Sequence, residues 1–349
     1  MSLVSRAMNL GVLGVGLVSP LALSAEQHVF VLRAGEPMPP ASPFLSRTDE
    51  RLPVRWCPVI GAGAPVGSRC VALGAMALDE ALAPLGPLAH RLPLYLVSSE
   101  DRPGFSEAPR AEIEAALARR AKSLDVTRRL GAAGAAHALI DAARRIDSGE
   151  VRGAVIVAVD SYVDLQAIEA FALRPPNPWQ AELTSFAEAA AAVVVGSASF
   201  HGNGSRDGGR APSFAELRAA AVATGTSNDD NDEPVDGTAM SEALRALPGG
   251  PPIAAAFGQF SVDTLRTREW SFALARNAAR FDAEHELGCL EDHVGRIGAA
   301  AGLAALVYGL ASLRHQAGRA MRSPGAPLVA WAISRDGARG LALATMGQA

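Results

Sequence analysis

The side chains able to do covalent chemistry are few and widely spread. The thiols are Cys57, Cys70 and Cys289. An odd number at such spacing fits neither a disulfide framework nor a zinc motif. A nucleophilic cysteine also needs a helix N-terminus or a basic neighbour to lower its pKa. Two histidines lie near other polar residues. His137 sits within Ala133–Ala143, and His293 stands three residues before Arg296. Each could serve as a base or donor; the plainer readings are a hydrogen-bonded core histidine for His137 and a cap or turn for His293. Ser123 and Ser261 lack the Gly-x-Ser-x-Gly turn that activates a hydrolase serine. Gly11-x-x-Gly14-x-Gly16 has the wrong spacing for a dinucleotide loop, and no acidic residue follows at the right distance. The run Asn228-Asp229-Asp230-Asn231-Asp232-Glu233 lacks the alternating ligands and closing Glu of a calcium loop, which leaves it as a solvated loop. Arg128-Arg129 could meet a phosphate or carboxylate, though a solvated pair is the simpler assignment. No metal site and no cofactor follow from any of these.

The elements that must position such residues can be read from the remainder. The chain has 349 residues, a formal net charge of −4 and 49% hydrophobic residues. That excludes a disordered chain and gives no electrostatic reason for a nucleic-acid partner. Lys122 is the only lysine, and alanine is abundant. Strands are expected at Leu10–Val15, Leu92–Val97, Gly153–Val159, Ala190–Val195, Ile253–Ala256, Pro327–Ile333 and Leu341–Thr345. Helices are expected at Val71–Leu82, Arg110–Leu124, Ala132–Ile146, Phe214–Val222, Met240–Ala246, Arg266–Phe281 and Ala299–His315. Strands and helices that alternate imply an α/β fold. The helices at 132–146 and 299–315 carry small residues on all faces, which suits burial between two sheets and a layered α/β/α/β/α body. Residues 297–313 are too few and too glycine-rich to favour a membrane span, so no membrane association is expected. Loops are expected at 201–212 and 225–237. Residues 1–25 admit two readings, a secretory signal ending at Ala25 or a buried strand followed by a turn at Ser19-Pro20.

Four stretches, in order along the chain, resemble the β-ketoacyl synthase branch of the thiolase-like superfamily. They are Gly11-Val12-Leu13-Gly14-Val15-Gly16-Leu17-Val18-Ser19-Pro20; Gly131–Arg144 continuing through Gly149-Glu150 to Val155–Asp160; Phe186-Ala187-Glu188-Ala189-Ala190; and Val294-Gly295-Arg296-Ile297-Gly298-Ala299-Ala300-Ala301-Gly302. The resemblance implies a fold of two related halves, 1–197 and 198–349, with the nucleophile-elbow helix at 132–146. It also makes the N-terminus a strand, hence a cytoplasmic chain; an exported one remains the alternative if 1–25 is a signal.

That family acylates an elbow cysteine and uses two histidines for decarboxylation. Here the resemblance places Ala132 at the cysteine, or Gly131 after a one-residue shift, Phe257 at the first histidine and Arg296 at the second, with Glu291 at a neighbouring lysine. The final glycine-rich loop is poorly matched by Arg335-Asp336-Gly337-Ala338. Ala cannot form a thioester, Phe cannot donate a hydrogen bond, and Arg cannot relay a proton near neutral pH. No catalytic residue of the set is intact, so the leading expectation is a pseudoenzyme. It would act as a scaffold or partner subunit, for a synthase or a secretion-associated assembly. The alternative is acyl-thioester or acyl-carrier-protein binding, or residual acyl transfer, in fatty-acid or polyketide-type metabolism, with His137, Gln259, His293 and Arg296 lining a ligand pocket. The partners expected are a second copy or another thiolase-fold subunit, paired through Val155–Val159, and an acyl carrier protein.

Overall fold

The computed structural model describes residues 2–35, 54–61, 63–89, 91–172, 185–197, 200, 213–228, 233–260, 264–317 and 325–346. Its strands are β1 (Leu3–Val18), β2 (Leu94–Ser98), β3 (Val126–Leu130), β4 (Gly153–Ser161), β5 (Glu188–Gly196), β6 (Ala215–Thr224), β7 (Ile253–Gly258), β8 (Phe281–Gly288), β9 (Pro327–Ile333) and β10 (Ala338–Met346). They hydrogen-bond in the order β3-β2-β4-β5-β1-β6-β10-β9-β7-β8. Adding five to each strand number of β3-β2-β4-β5-β1 gives β8-β7-β9-β10-β6, so the second half repeats the topology of the first. The halves join where β1 pairs with both β5 and β6.

Each strand's side chains divide between two cores, as the two-residue period requires. On β4, Ala154, Ile156 and Ala158 face one core, and Val155, Val157 and Val159 the other. The central core encloses α4 (Gly134–Asp147) and α9 (Ala301–Ala317) between strands of both halves. The outer core of the first half lies under α2 (Val66–Leu82) and α3 (Glu107–Ala121). That of the second half lies under α6 (Thr238–Ala246) and α7 (Thr264–Arg276). A nine-residue helix, α1 (Ala25–Arg33), follows β1, α5 (Leu165–Ala172) follows β4, and the single-turn α8 (Glu291–Val294) follows β8. The layered body is therefore the expected one. Gly14 and Gly16 have a physical role in it: a Cβ at either would strike the carbonyl oxygen of Ala81 or Ala77, so their bareness lets α2 lie directly on β1.

Several expected elements are corrected. The stretch 214–222 is not a helix but the strand β6, clamped between β1 and β10. Its alanines suit either state in isolation, and the central position decides. The helix expected over 266–281 ends at Arg276, and Phe281 begins β8. The helix expected to reach Leu124 stops at Ala121, where Lys122 turns left-handed at φ 52°, and the unforeseen β3 follows. Helix α4 is not enclosed on every side, since Arg144 is exposed. Val155–Val159 cannot pair with a second subunit, because both edges of β4 are taken by β2 and β5. Among the described residues, the open edges are β3 and β8. Residues 3–24 are a strand in mid-sheet and the turn after it, and Ala25 begins α1. The loop at 201–212 lies outside the described residues, as does 229–232 of the second loop.

Candidate functional site

The elbow is built by β3, a glycine turn and α4. Gly131 adopts φ 71°, and its amide donates to the Ser98 carbonyl at 3.0 Å. Gly134 packs against Val97 so closely that a Cβ would lie 2.9 Å from a Val97 methyl. Ala132, between them, is 5% exposed. The first turn of α9 comes down on it: Gly302 touches the Ala132 carbonyl, leaving no room for a Cβ. On the other side Gly340 lies against Ala133. The Ala133 amide donates to Ser334 Oγ at 2.8 Å, so the strand-end hydroxyl occupies a donor at the helix start. The cavity left beside Ala132, lined by Ala135, Leu139, Leu306 and Ala342 among others, measures about 10 Å³. That is about the room of one water.

Phe257, near the end of β7, is 1% exposed. Its ring meets Tyr308 edge-on at 5.4 Å. Gly288 and Gly309 cradle the same ring, and a Cβ at either would clash with it. Ala132 and Phe257 thus rest on α9 at Gly302 and Gly309, two turns or roughly 10 Å apart along the helix.

Arg296 is held by its backbone. Its amide donates to Ser185 O at 2.7 Å and its carbonyl accepts from Ala187 N at 2.8 Å. Gly295 makes this approach possible at φ 92°. The guanidinium of Arg55 donates to the His293 carbonyl, while the His293 side chain is exposed. Glu291 is 4% exposed, and its Oε1 accepts from Ile297 N at 2.9 Å. Burial raises the Glu291 pKa, and that hydrogen bond, Arg266, Gln259 and Arg296 pull it back only in part. Gln259 is buried as well: its Oε1 accepts from Ile333 N at 2.8 Å and from Arg266 Nε at 3.2 Å. Of the four pocket candidates, Gln259 and Arg296 therefore both lie by Glu291. His137 lies apart on α4, where burial and then Arg129 lower its pKa. Ser261 lies outside the described residues. Arg128 and Arg129 are paired with Glu107, Glu114 and Asp141. Burial pushes the thiol of Cys57 up to about 11 and also raises those of Cys70 and Cys289, which keeps all three protonated at neutral pH.

Residues with no role assigned from the sequence hold the frame. Asp160 Oδ2 accepts from Ala299 N at 2.9 Å and its Oδ1 from Arg102 Nη2 at 2.8 Å. Glu188 binds Arg69 through both oxygens, at 2.6 and 2.7 Å, with both side chains fully buried. It also accepts from Cys57 N and Ser161 Oγ. The available signal was one carboxylate in each of two apolar strands, since a buried charge requires partners. Among the described residues, no group of His, Cys, Asp and Glu is arranged to hold a metal ion. None of the described helices is long and apolar enough to cross a membrane.

No family model matches the chain, and no curated protein does. Solved structures do. The ishigamide ketosynthase/chain length factor superposes with a TM-score of 0.67 at 18% identity, covering 97% of this chain and 100% of that one. The ketosynthase from module 6 of the bacillaene synthase of Bacillus subtilis 168 gives 0.72 at 11%, covering 98% and 72%. A type II polyketide synthase acyl carrier protein complexed with its ketosynthase gives 0.71 at 14%, covering 98% and 100%. The doubled five-strand topology with two central helices is thus a thiolase-like fold of the ketosynthase type.

Proposed function

We propose that this protein is a non-catalytic ketosynthase-like subunit that pairs with a thiolase-fold partner, a second copy or a different chain. The observation that carries this reading is the closed elbow. Ala132 offers no nucleophile, Gly302 seals its carbonyl side, and Ser334 occupies the Ala133 amide. Phe257 fills its own glycine cradle rather than leaving a donor there. The likeness to a structure described as a ketosynthase/chain length factor is in keeping with a partner role. The open edge of β3 supplies a backbone ladder for pairing.

The test is incubation with acetyl and malonyl thioesters followed by intact-mass measurement, alongside gentle co-purification from the native host. The expected result is an unchanged mass and recovery of a dimer, with itself or with a synthase. An acyl adduct would instead establish the acyltransferase reading. Thermal stabilisation by acyl-CoA or an acyl carrier protein, without an adduct, would establish the binding reading.

A further inference from the structure

The connection between β1 and α1 is closed around one histidine. His28 is fully buried. Its Nδ1 lies 2.7 Å from the Ser24 carbonyl, which can only accept, so Nδ1 carries the proton. Nε2 is then the acceptor for Ser19 Oγ–H, 2.7 Å away. Ser19 Oγ in turn accepts from Leu21 N at 3.2 Å. One neutral imidazole, in one tautomer, ties the end of β1 to the first turn of α1. Glu80, from α2, spans the same turn from outside by accepting from Leu17 N and Ala25 N, each at 2.9 Å.

Among the described residues, no counter-charge bonds to the ring. The charged groups on the surrounding elements are Glu26 and Arg33 on α1, Arg69, Asp79 and Glu80 on α2, with Arg69 paired to Glu188 and Asp79 to Arg120, and Arg314 and His315 on α9. Arg33 donates to Ser312 O, His315 meets Phe30 edge-on, and Arg314 lies over Phe214. On β1 the charged residue is Arg6, far along the strand and paired with Asp147. None of these bonds to the imidazole. A second proton would place an uncompensated charge in the turn and remove the acceptor for Ser19.

We propose that the Ser19–His28–Ser24 bridge is an acid-sensitive catch: protonation of His28 releases α1 from β1 and α9 while the sheet stays folded. The direction follows from linkage. Burial lowers His28 from 6.5 to about 4, so the opened state binds the proton more tightly and acid favours opening. Glu80 acts in the opposite sense. Burial raises its pKa, so the closed state binds its proton more tightly and acid relieves a cost there. Of the two, only His28 drives opening in acid, and it takes up at most one proton. Release is confined to α1 because that short helix lies beside the layers rather than between them, with Glu26, Gln27 and Phe30 exposed. Its departure uncovers the last turns of α9.

Hydrogen exchange read by mass spectrometry at pH 7.0 and 4.5, corrected for intrinsic rates, tests the catch. The peptide covering 20–34 is expected to lose at least tenfold in protection relative to 153–161. His28→Gln keeps an acceptor for Ser19 without titrating, and should abolish the difference. Glu80→Gln removes the opposing group and should enlarge it. Equal loss in both peptides, or a full response in His28→Gln, overturns the proposal. Should His28→Gln not fold, an NMR titration of the wild-type imidazole decides: protonation near 6.5 with α1 amides unchanged overturns the catch, and protonation coupled to α1 exchange supports it.

Discussion

At Glu291 the chain carries a carboxylate where burial opposes its charge. A carboxyl whose folded pKa lies above its unfolded value costs stability when ionised, and that cost declines as pH falls through the folded value. Glu291→Gln keeps an acceptor for Ile297 N and carries no charge at any pH. The variant should therefore be more stable than the wild type at pH 8, by about 1–2 kcal/mol, with the gap shrinking towards pH 4. Urea midpoints across that range check the sign. Glu188 is the contrasting case, a buried carboxylate matched on both oxygens by Arg69. Glu188→Ala leaves a buried guanidinium unpaired and should cost about 3–5 kcal/mol in the same assay, whereas Arg69→Met with Glu188→Leu should recover much of it. Through the resemblance, the sequence places Ala132, Phe257 and Arg296 at positions whose chemistry those side chains do not supply. It does not show Ser334 on the Ala133 amide, because that contact joins residues 201 positions apart.

Elements with a strong period were legible, and those whose state depends on neighbours were not. Pro327–Ile333 is a strand with the expected bounds, being apolar on both faces with β-branched and aromatic members. Residues 215–222 are a strand only because β1 and β10 flank them. The edges β3 and β8 were missed because their charged residues break any apolar pattern: Arg128 and Arg129 on one, Asp282, Glu284 and Glu286 on the other. On β8 those charges have a use. Among the described residues its outer edge is unpaired, and Leu287 is 53% exposed. Exposed Asp282 and Glu284 discourage a second strand from joining there. Replacing both with Thr leaves an uncharged, β-prone edge, and sedimentation should then show association beyond the wild-type state as concentration rises. Unchanged sedimentation would remove this role from the two carboxylates.

The whole molecule is a duplication, and its two halves treat their equivalent edges differently. β3 and β8 hold matching positions at the ends of the strand order. The charges beside β3 are neutralised at home, Arg128 by Glu107 and Glu114 and Arg129 by Asp141, so its backbone edge is not defended by an unpaired charge. Leu124, just before it, is fully exposed and Leu130, its last residue, half exposed. An apolar margin around an undefended ladder is what a subunit contact uses and a solvent edge avoids. If the partner is a second copy, light scattering should give about twice the 36.0 kDa chain, or roughly 72 kDa. The edge can be tested without touching the core. In the parallel ladder with β2, successive N–H groups point alternately toward β2 and away from it. Of Thr127→Pro and Arg128→Pro, one therefore removes a bond to β2 and the other an amide that only a partner could use. The latter should fold with unchanged circular dichroism and scatter as a single chain. A dimer that survives in both folded proline variants would move the contact away from β3 and leave the apolar margin at Leu124 and Leu130 without a partner strand.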